Sequence, residues 1–140
     1  MRLISFFETQ EQVLAKTKFV TRRTGWKLAK SGLFLQGVKK SQGRKPGEPV
    51  QNLHVIEVVG ARLEPLDLLE KDPEYGAREM ILEGFPGRDP ADFVAWFCDF
   101  NMWRPDWPVN RIEFKYPEEY TFTERLPGRI HPITIEGKIS

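Results

Sequence analysis

Within the run KFVTRRTGWKLAK, Lys18 to Lys30, the side chains of Lys18, Thr21, Arg22, Arg23, Lys27 and Lys30 surround one tryptophan, Trp26, with no acid among them. A lysine partly desolvated in such a cluster has its charged form disfavoured by burial and by like charge. It can then serve as a base near neutral pH. A threonine hydroxyl close by is a weak nucleophile that needs such a base. A carboxylate from elsewhere in the chain would have to move the proton onward. In an extended segment Lys18 and Thr21 face opposite sides, whereas a turn or helical kink brings them together. The same residues also make an ordinary solvated surface turn, and spacing by itself leaves both readings open.

Other chemistries find little support. His54 reads as a strand-surface residue and His131 as a loop residue, with no His/Cys/Asp spacing suited to zinc. No GxGxxG follows a strand and no GxxxxGK[ST] is present, which disfavours a dinucleotide fold or a P-loop. Neither a metal nor another cofactor is expected. Cys98 is the single cysteine, so no internal disulfide can form, and it reads as a small buried hydrophobe. The opening MRLISFFETQEQ has too short an apolar run for a signal peptide, and no later stretch suits a bilayer span. The expected setting is cytoplasmic, with no membrane partner.

Charge is distributed in two blocks. Met1 to Lys45 holds eleven Lys/Arg against Glu8 and Glu11, a balance of +9, and the remainder holds ten against eighteen acids, a balance of −8. Such blocks suggest a basic face for phosphates, or two surfaces that neutralise each other on folding.

The elements that must position these residues follow from periodicity. RLISFF reads as a strand, and Thr9 as the N-cap of a short helix over Gln10 to Lys16. LFLQGVKK reads as a strand with two partly buried faces, and SQGRKPGEP as a turn. VQNLHVIEVVGARLEPL is a long strand region, in which Gly60 suggests a bulge that helps a sheet to curl. DPEYGAREMILEG reads as a helix stopped at Gly84. In FPGRDPADFVAWFCDFN, Asp89 is the expected N-cap, Pro90 the first helical residue and Asp92 a capping-box partner. Phe93, Trp96, Phe97 and Phe100 then fall on one face, expected to be buried core. VNRIEFKYP alternates Ile112, Phe114 and Tyr116 as a half-buried strand. Strands and helices in blocks make the fold class α+β, with a small curled sheet or barrel plugged by helices. The expected organisation is one domain over residues 1–117 and a Pro- and Gly-punctuated C-terminal extension over 118–140.

The succession KFVTRRTGWK, LFLQGVKKSQGRKPGE, HVIEVVGARLEPLD, EGFPGRDPADFVAWF and VNRIEFKY resembles the ASCH domain, the activating-signal-cointegrator homology domain of small bacterial and phage proteins. The resemblance runs from about Leu3 to Tyr116. It implies a PUA-like curled β-barrel with flanking helices and a cleft for nucleic acid or a modified nucleoside. Some small members deacylate N4-acetylcytidine, and ribonuclease activity is reported for a further branch. The family pattern Lys-Thr-x-Thr-x-Arg places its lysine at Lys18 and its second threonine at Thr21. Phe19 stands where the first threonine would be. The family's acidic residue maps to Glu83 in ILEGF, with Glu79 as the alternative.

The resemblance thus implies catalytic roles for Lys18, Thr21 and Glu83. Arg22 or Arg23 would hold a phosphate or an oxyanion, and Trp26 would stack on a base or simply cover the barrel end. With Lys27, Lys39 and Lys40 these residues would form a binding wall. The partner expected first is single-stranded nucleic acid, RNA ahead of DNA, or a modified nucleoside. Hydrolysis of an acylated cytidine is the alternative.

Overall fold

The computed structural model describes residues 1–117, so the expected 118–140 extension lies outside the described residues. Five strands form one mixed sheet: β1 (Arg2–Ser5), β2 (Val20–Arg23), β3 (Phe34–Val38), β4 (Asn52–Pro65) and β5 (Pro108–Lys115). Their order across the sheet is β1-β3-β4-β5-β2; β1 and β3 are parallel and the other pairs antiparallel. The helices are α1 (Gln10–Leu14), preceded by a 3-10 turn at Phe7–Thr9, α2 (Leu68–Lys71), α3 (Pro73–Glu83) and α4 (Pro90–Asn101). The α+β class holds, and the curled sheet with flanking helices is consistent with a PUA-like fold.

Curling is built into β4. Its register with β5 shifts between Val58 and Gly60, a bulge that bends the longest strand and increases its twist. The bend brings the two edge strands within reach of each other. Arg23 on β2 donates from Nη2 to the Ser5 carbonyl on β1 at 2.7 Å. A side chain thus bridges the seam that backbone pairing leaves open.

Two apolar cores result. One lies within the sheet and α1, around Ile4, Phe6, Val13, Leu35, Ile56, Ile112 and Phe114. The other lies beneath the helices, around Leu66, Leu69, Met80, Phe93, Val94, Phe97 and Val109. Strand β5 serves both: Ile112 and Phe114 point into the sheet core, and Val109 into the helical one.

Local signals account for the helix ends. Asp72 accepts from the Tyr75 amide and Asp89 from the Ala91 amide, each just before a proline in the first turn. Gly84 ends α3 at φ 98°, and a Cβ there would also come within 2.9 Å of Gln12 Cγ. Two expectations need correction. Helix α1 stops at Leu14, because Lys16 takes the left-handed conformation (φ 59°), and Thr9 makes no side-chain cap bond. The basic run, to which periodicity assigns no element, supplies strand β2 at Val20–Arg23.

Candidate functional site

The segment entering β2 is pinned on both sides. The Phe19 amide donates to the Leu82 carbonyl at the end of α3, and the Phe114 amide of β5 donates to the Phe19 carbonyl. Tyr116 donates its hydroxyl to the Lys18 carbonyl. Lys18 is therefore held against the C-terminus of α3, where helix carbonyls lack intrahelical partners and a cation is favoured. Its Nζ donates to the Glu83 carbonyl and to Glu83 Oε1, both at 2.8 Å, with both side chains 3% exposed.

Arg22 and Arg111 lie directly opposite on the β2–β5 ladder, an arrangement that like charge disfavours. Glu79 resolves it. Its Oε1 accepts from Arg22 at 2.6 Å and from Arg111 Nε at 2.7 Å, and its Oε2 accepts from Arg111 Nη2 at 2.9 Å. Arg22 also donates to Glu83 Oε2 and to Glu64 Oε2, each at 2.9 Å. Tyr75 donates its hydroxyl to Glu64. The result is a buried layer between β2–β5 and α3, in which Lys18, Arg22 and Arg111 face Glu64, Glu79 and Glu83.

Electrostatics separates the roles within this layer. Burial lowers the Lys18 pKa below its ordinary 10.5, helped by Arg23 and Arg22 and opposed by Glu83. Burial also pulls on Arg22, but Glu83, Glu64 and Glu79 outweigh it and raise its pKa, so Arg22 is a fixed cation. Burial brings Arg23 down to about 10, opposed by Glu83. Burial thus disfavours the charged forms of Lys18 and Arg23, whereas Arg22 and Arg111 are held charged by their carboxylates.

This layer floors a cavity of about 240 Å³. Lys18, Thr21, Arg22, Arg23 and Glu83 form its polar end, and Phe6, Phe7, Phe85, Phe93, Trp96, Phe97 and Phe100 its aromatic wall. Trp96 and Phe100 stack at 5.4 Å with ring planes 20° apart. The Arg88 guanidinium lies over the rings of Phe85, Phe93 and Trp96 at 4.9, 5.5 and 5.6 Å. The expectation of a fully buried aromatic face is thus corrected. Phe93 and Phe97 are core, Trp96 is half-buried and Phe100 is 62% exposed, stacked on Trp96 where both line the cavity.

The site residues expected from the sequence fall into three groups. Lys18, Thr21, Arg22, Arg23 and Glu83 converge on one cavity, although more than sixty positions separate Thr21 from Glu83. Glu83 bonds Lys18, whereas Glu79 bonds Arg22 and Arg111. The Thr21 hydroxyl accepts from Arg23 Nε at 3.0 Å, and among the described residues no hydrogen bond joins it to Lys18. Trp26 lines a neighbouring cavity with Arg2, Leu28, Ser41 and Gln42. Lys27 is exposed, and Lys39 and Lys40 are half-buried in the turn after β3, where Lys40 pairs with Glu48 at 3.7 Å. Sequence reasoning missed Glu64, Tyr75, Arg88 and Arg111. Arg111 alone carried a signal, a charge on the opposite parity from Ile112 and Phe114 in β5 and hence facing the helices. Among the described residues no group of three or more His, Cys, Asp or Glu is arranged to hold a metal, and no helix is long and apolar enough to cross a membrane.

No family model and no curated protein matches the chain. Among solved structures it is similar to protein EF3133 from Enterococcus faecalis V583, family-model DUF984, at a TM-score of 0.55 and 14% identity, over 82% of this chain and 78% of that one. At that identity the likeness speaks for the shared fold.

Proposed function

We propose that this chain is an ASCH-type protein that binds a nucleobase, as a modified nucleoside or at an unpaired position of single-stranded nucleic acid, in the aromatic-walled cavity above Lys18 and Glu83. One observation carries the reading: a buried Lys–Glu pair forms the polar end of a cavity whose sides are aromatic rings. Stacking surfaces with a few converging donors and acceptors are how unpaired bases are held. Size narrows the ligand. At about 240 Å³ the cavity falls below the ~300–1,000 Å³ usual for drug-sized ligands, so it takes one base and not a folded oligonucleotide. Calorimetric titration with the four ribonucleosides and N4-acetylcytidine tests this; one of them should bind, and Trp96→Ala should weaken it. Failure of all five, and of the nucleotides and single strands that carry them, to bind would overturn the reading.

A second reading, hydrolysis of an acylated amine on the base, is favoured by the lowered pKa of Lys18 in the cavity that Thr21 also lines. Neutral Lys18 would take the Thr21 proton, and the Thr21 oxygen would attack the acyl carbonyl. The developing oxyanion would face Arg23, already bonded to Thr21. Glu83, bonded to Lys18, would relay the proton to the departing amine, and water would then release the acyl group from Thr21 as its acid. These steps require Lys18 Nζ to swing from Glu83 toward Thr21 when substrate enters. Arg22 takes no part beyond holding Glu83, since its two terminal nitrogens already bond three carboxylates. Mass analysis of N4-acetylcytidine incubated with the protein, and with Lys18→Met, separates a binder from a hydrolase.

A further inference from the structure

The cavity that holds Trp26 is not part of the base pocket, yet it shares two lining residues with it, Ser5 and Arg23. These are the pair whose hydrogen bond bridges the sheet seam. The second cavity measures about 500 Å³, and Arg2, Arg23, Trp26, Ser41 and Gln42 are among the residues that line it. It contains two guanidiniums and no carboxylate. The base pocket, by contrast, contains Glu8 and Glu83 among its lining residues.

Trp26 is set there at some cost. It adopts a left-handed backbone (φ 65°), a conformation that bulky residues rarely occupy. Tertiary bonds hold it: Asn110 of β5 donates from Nδ2 to the Trp26 carbonyl at 2.8 Å and to the Gly25 carbonyl at 3.3 Å. The Ala29 amide donates to the same Trp26 carbonyl. Strained conformations that the surrounding structure over-determines occur most at ligand-clamping sites. The Arg2 guanidinium lies over the indole at 5.9 Å, leaving a cation and an aromatic face side by side.

The geometry points to this second cavity as the subsite for the phosphate and flanking base of the nucleotide whose own base enters the first. Arg23, at the junction, and Arg2 receive the phosphate, and Trp26 stacks on the neighbouring base. The inference rests on the base-pocket reading and deepens it: the ligand is a nucleotide or a strand, and a free nucleoside fills only half of the site.

The test is calorimetric and uses the full chain. The probes are the four ribonucleosides and N4-acetylcytidine, their 3′- and 5′-monophosphates, and dinucleotides carrying the preferred base. One monophosphate series should bind about tenfold tighter than its nucleoside, the scale of one charge-assisted hydrogen bond. A flanking base on that side should add about tenfold more, the scale of one stacked base. Arg2→Ala should remove the phosphate advantage and leave nucleoside affinity unchanged. Gln42→Glu, at an exposed turn position where folding is not at stake, should reverse the advantage by adding a negative charge. Nucleosides that bind as tightly as both monophosphates and the dinucleotides would overturn this inference alone. So would a phosphate advantage that survives both substitutions. No binding by any probe would overturn the base pocket and this subsite together.

Discussion

Two regions of the molecule are rich in charge and use it in opposite ways. Beneath α3, Lys18, Arg22 and Arg111 are locked against Glu64, Glu79 and Glu83 in a buried layer, with Arg22 bonded to three carboxylates. In the turn after β3, Lys39, Lys40, Arg44 and Lys45 meet a single acid, Glu48, through a half-exposed 3.7 Å pair and a bond from the Lys45 amide. The first region is buried and fixed by its ion pairs; the second is open to solvent, and in it the Lys45 amide holds the Glu48 carboxyl below its ordinary value. A cation count along the sequence treats them alike, yet only the first can hold a proton donor and acceptor at fixed positions. The +9 block of the N-terminal third is therefore divided: Lys18 and Arg22 in the buried layer, Arg23 bridging the seam to Ser5, Lys39, Lys40, Arg44 and Lys45 in the basic turn, and Arg2, Lys16, Lys27 and Lys30 exposed elsewhere.

The contrast between the two regions should be widest in stability, under Arg22→Met. Removing that guanidinium leaves three buried carboxylates short of a partner, and breaking a buried pair in this way costs about 3–5 kcal/mol. Lys40→Ala, which removes a partly exposed pair, should cost no more than about 1 kcal/mol. Urea melts of both variants measure the difference. Equal, small losses would mean that the buried layer contributes little to the fold.

Ligand binding should divide the regions next. Phe100→Ala and Trp96→Ala each remove one ring from the cavity mouth and should weaken base binding by about 1–3 kcal/mol in calorimetric titration, with no change in salt dependence. Neutralising Lys39, Lys40, Arg44 and Lys45 together should do the reverse. If this turn neutralises phosphates of a bound single strand, the slope of log affinity against log salt should flatten by about 0.7 for each phosphate left without its cation. Nucleoside binding should stay as it was.

The smallest expected effect is in the pH dependence of stability. Folding lowers the Lys18 pKa below 10.5, so between the two values the unfolded chain binds more protons and stability rises with pH. This contribution is fully present above 10.5 and is lost as pH falls through the folded value. Urea melts across that window should show a steeper rise for the wild type than for Lys18→Met. Arg23, lowered to about 10, remains in both proteins, so the difference between their profiles reads Lys18 together with its coupling to Arg23. Any hydrolysis should rise with pH through the same folded Lys18 value, since the neutral amine is the base.

Much of this fold is legible in the sequence because it rests on local rules. The Asp-Pro caps, the Gly84 stop, the bend at Gly60 and the β5 alternation each follow from a residue's own backbone or side-chain preference. Strand β2 is not legible. Four residues with two adjacent arginines do not resemble a strand until Glu79 is known to lie between Arg22 and Arg111. The anchoring of Arg22 is illegible for the same reason: its three carboxylate partners lie on β4 and α3, far away in sequence. Helical spacing puts Phe100 on the core face of α4, but spacing does not say whether another element covers that face. Proximity in sequence sets Trp26 beside Lys18, and the turn into β3 carries it instead to the other side of Arg23.

The most direct measurement is a crystal structure with the nucleoside or nucleotide that binds best in the titrations. Its base should lie against Trp96, Phe85 and Phe100, with the polar edge of the base toward Lys18, Thr21 and Glu83, and any phosphate at Arg23. A base seated on the exposed turn around Lys39 and Lys40, with the aromatic cavity left unfilled, would contradict a base pocket above Lys18 and Glu83.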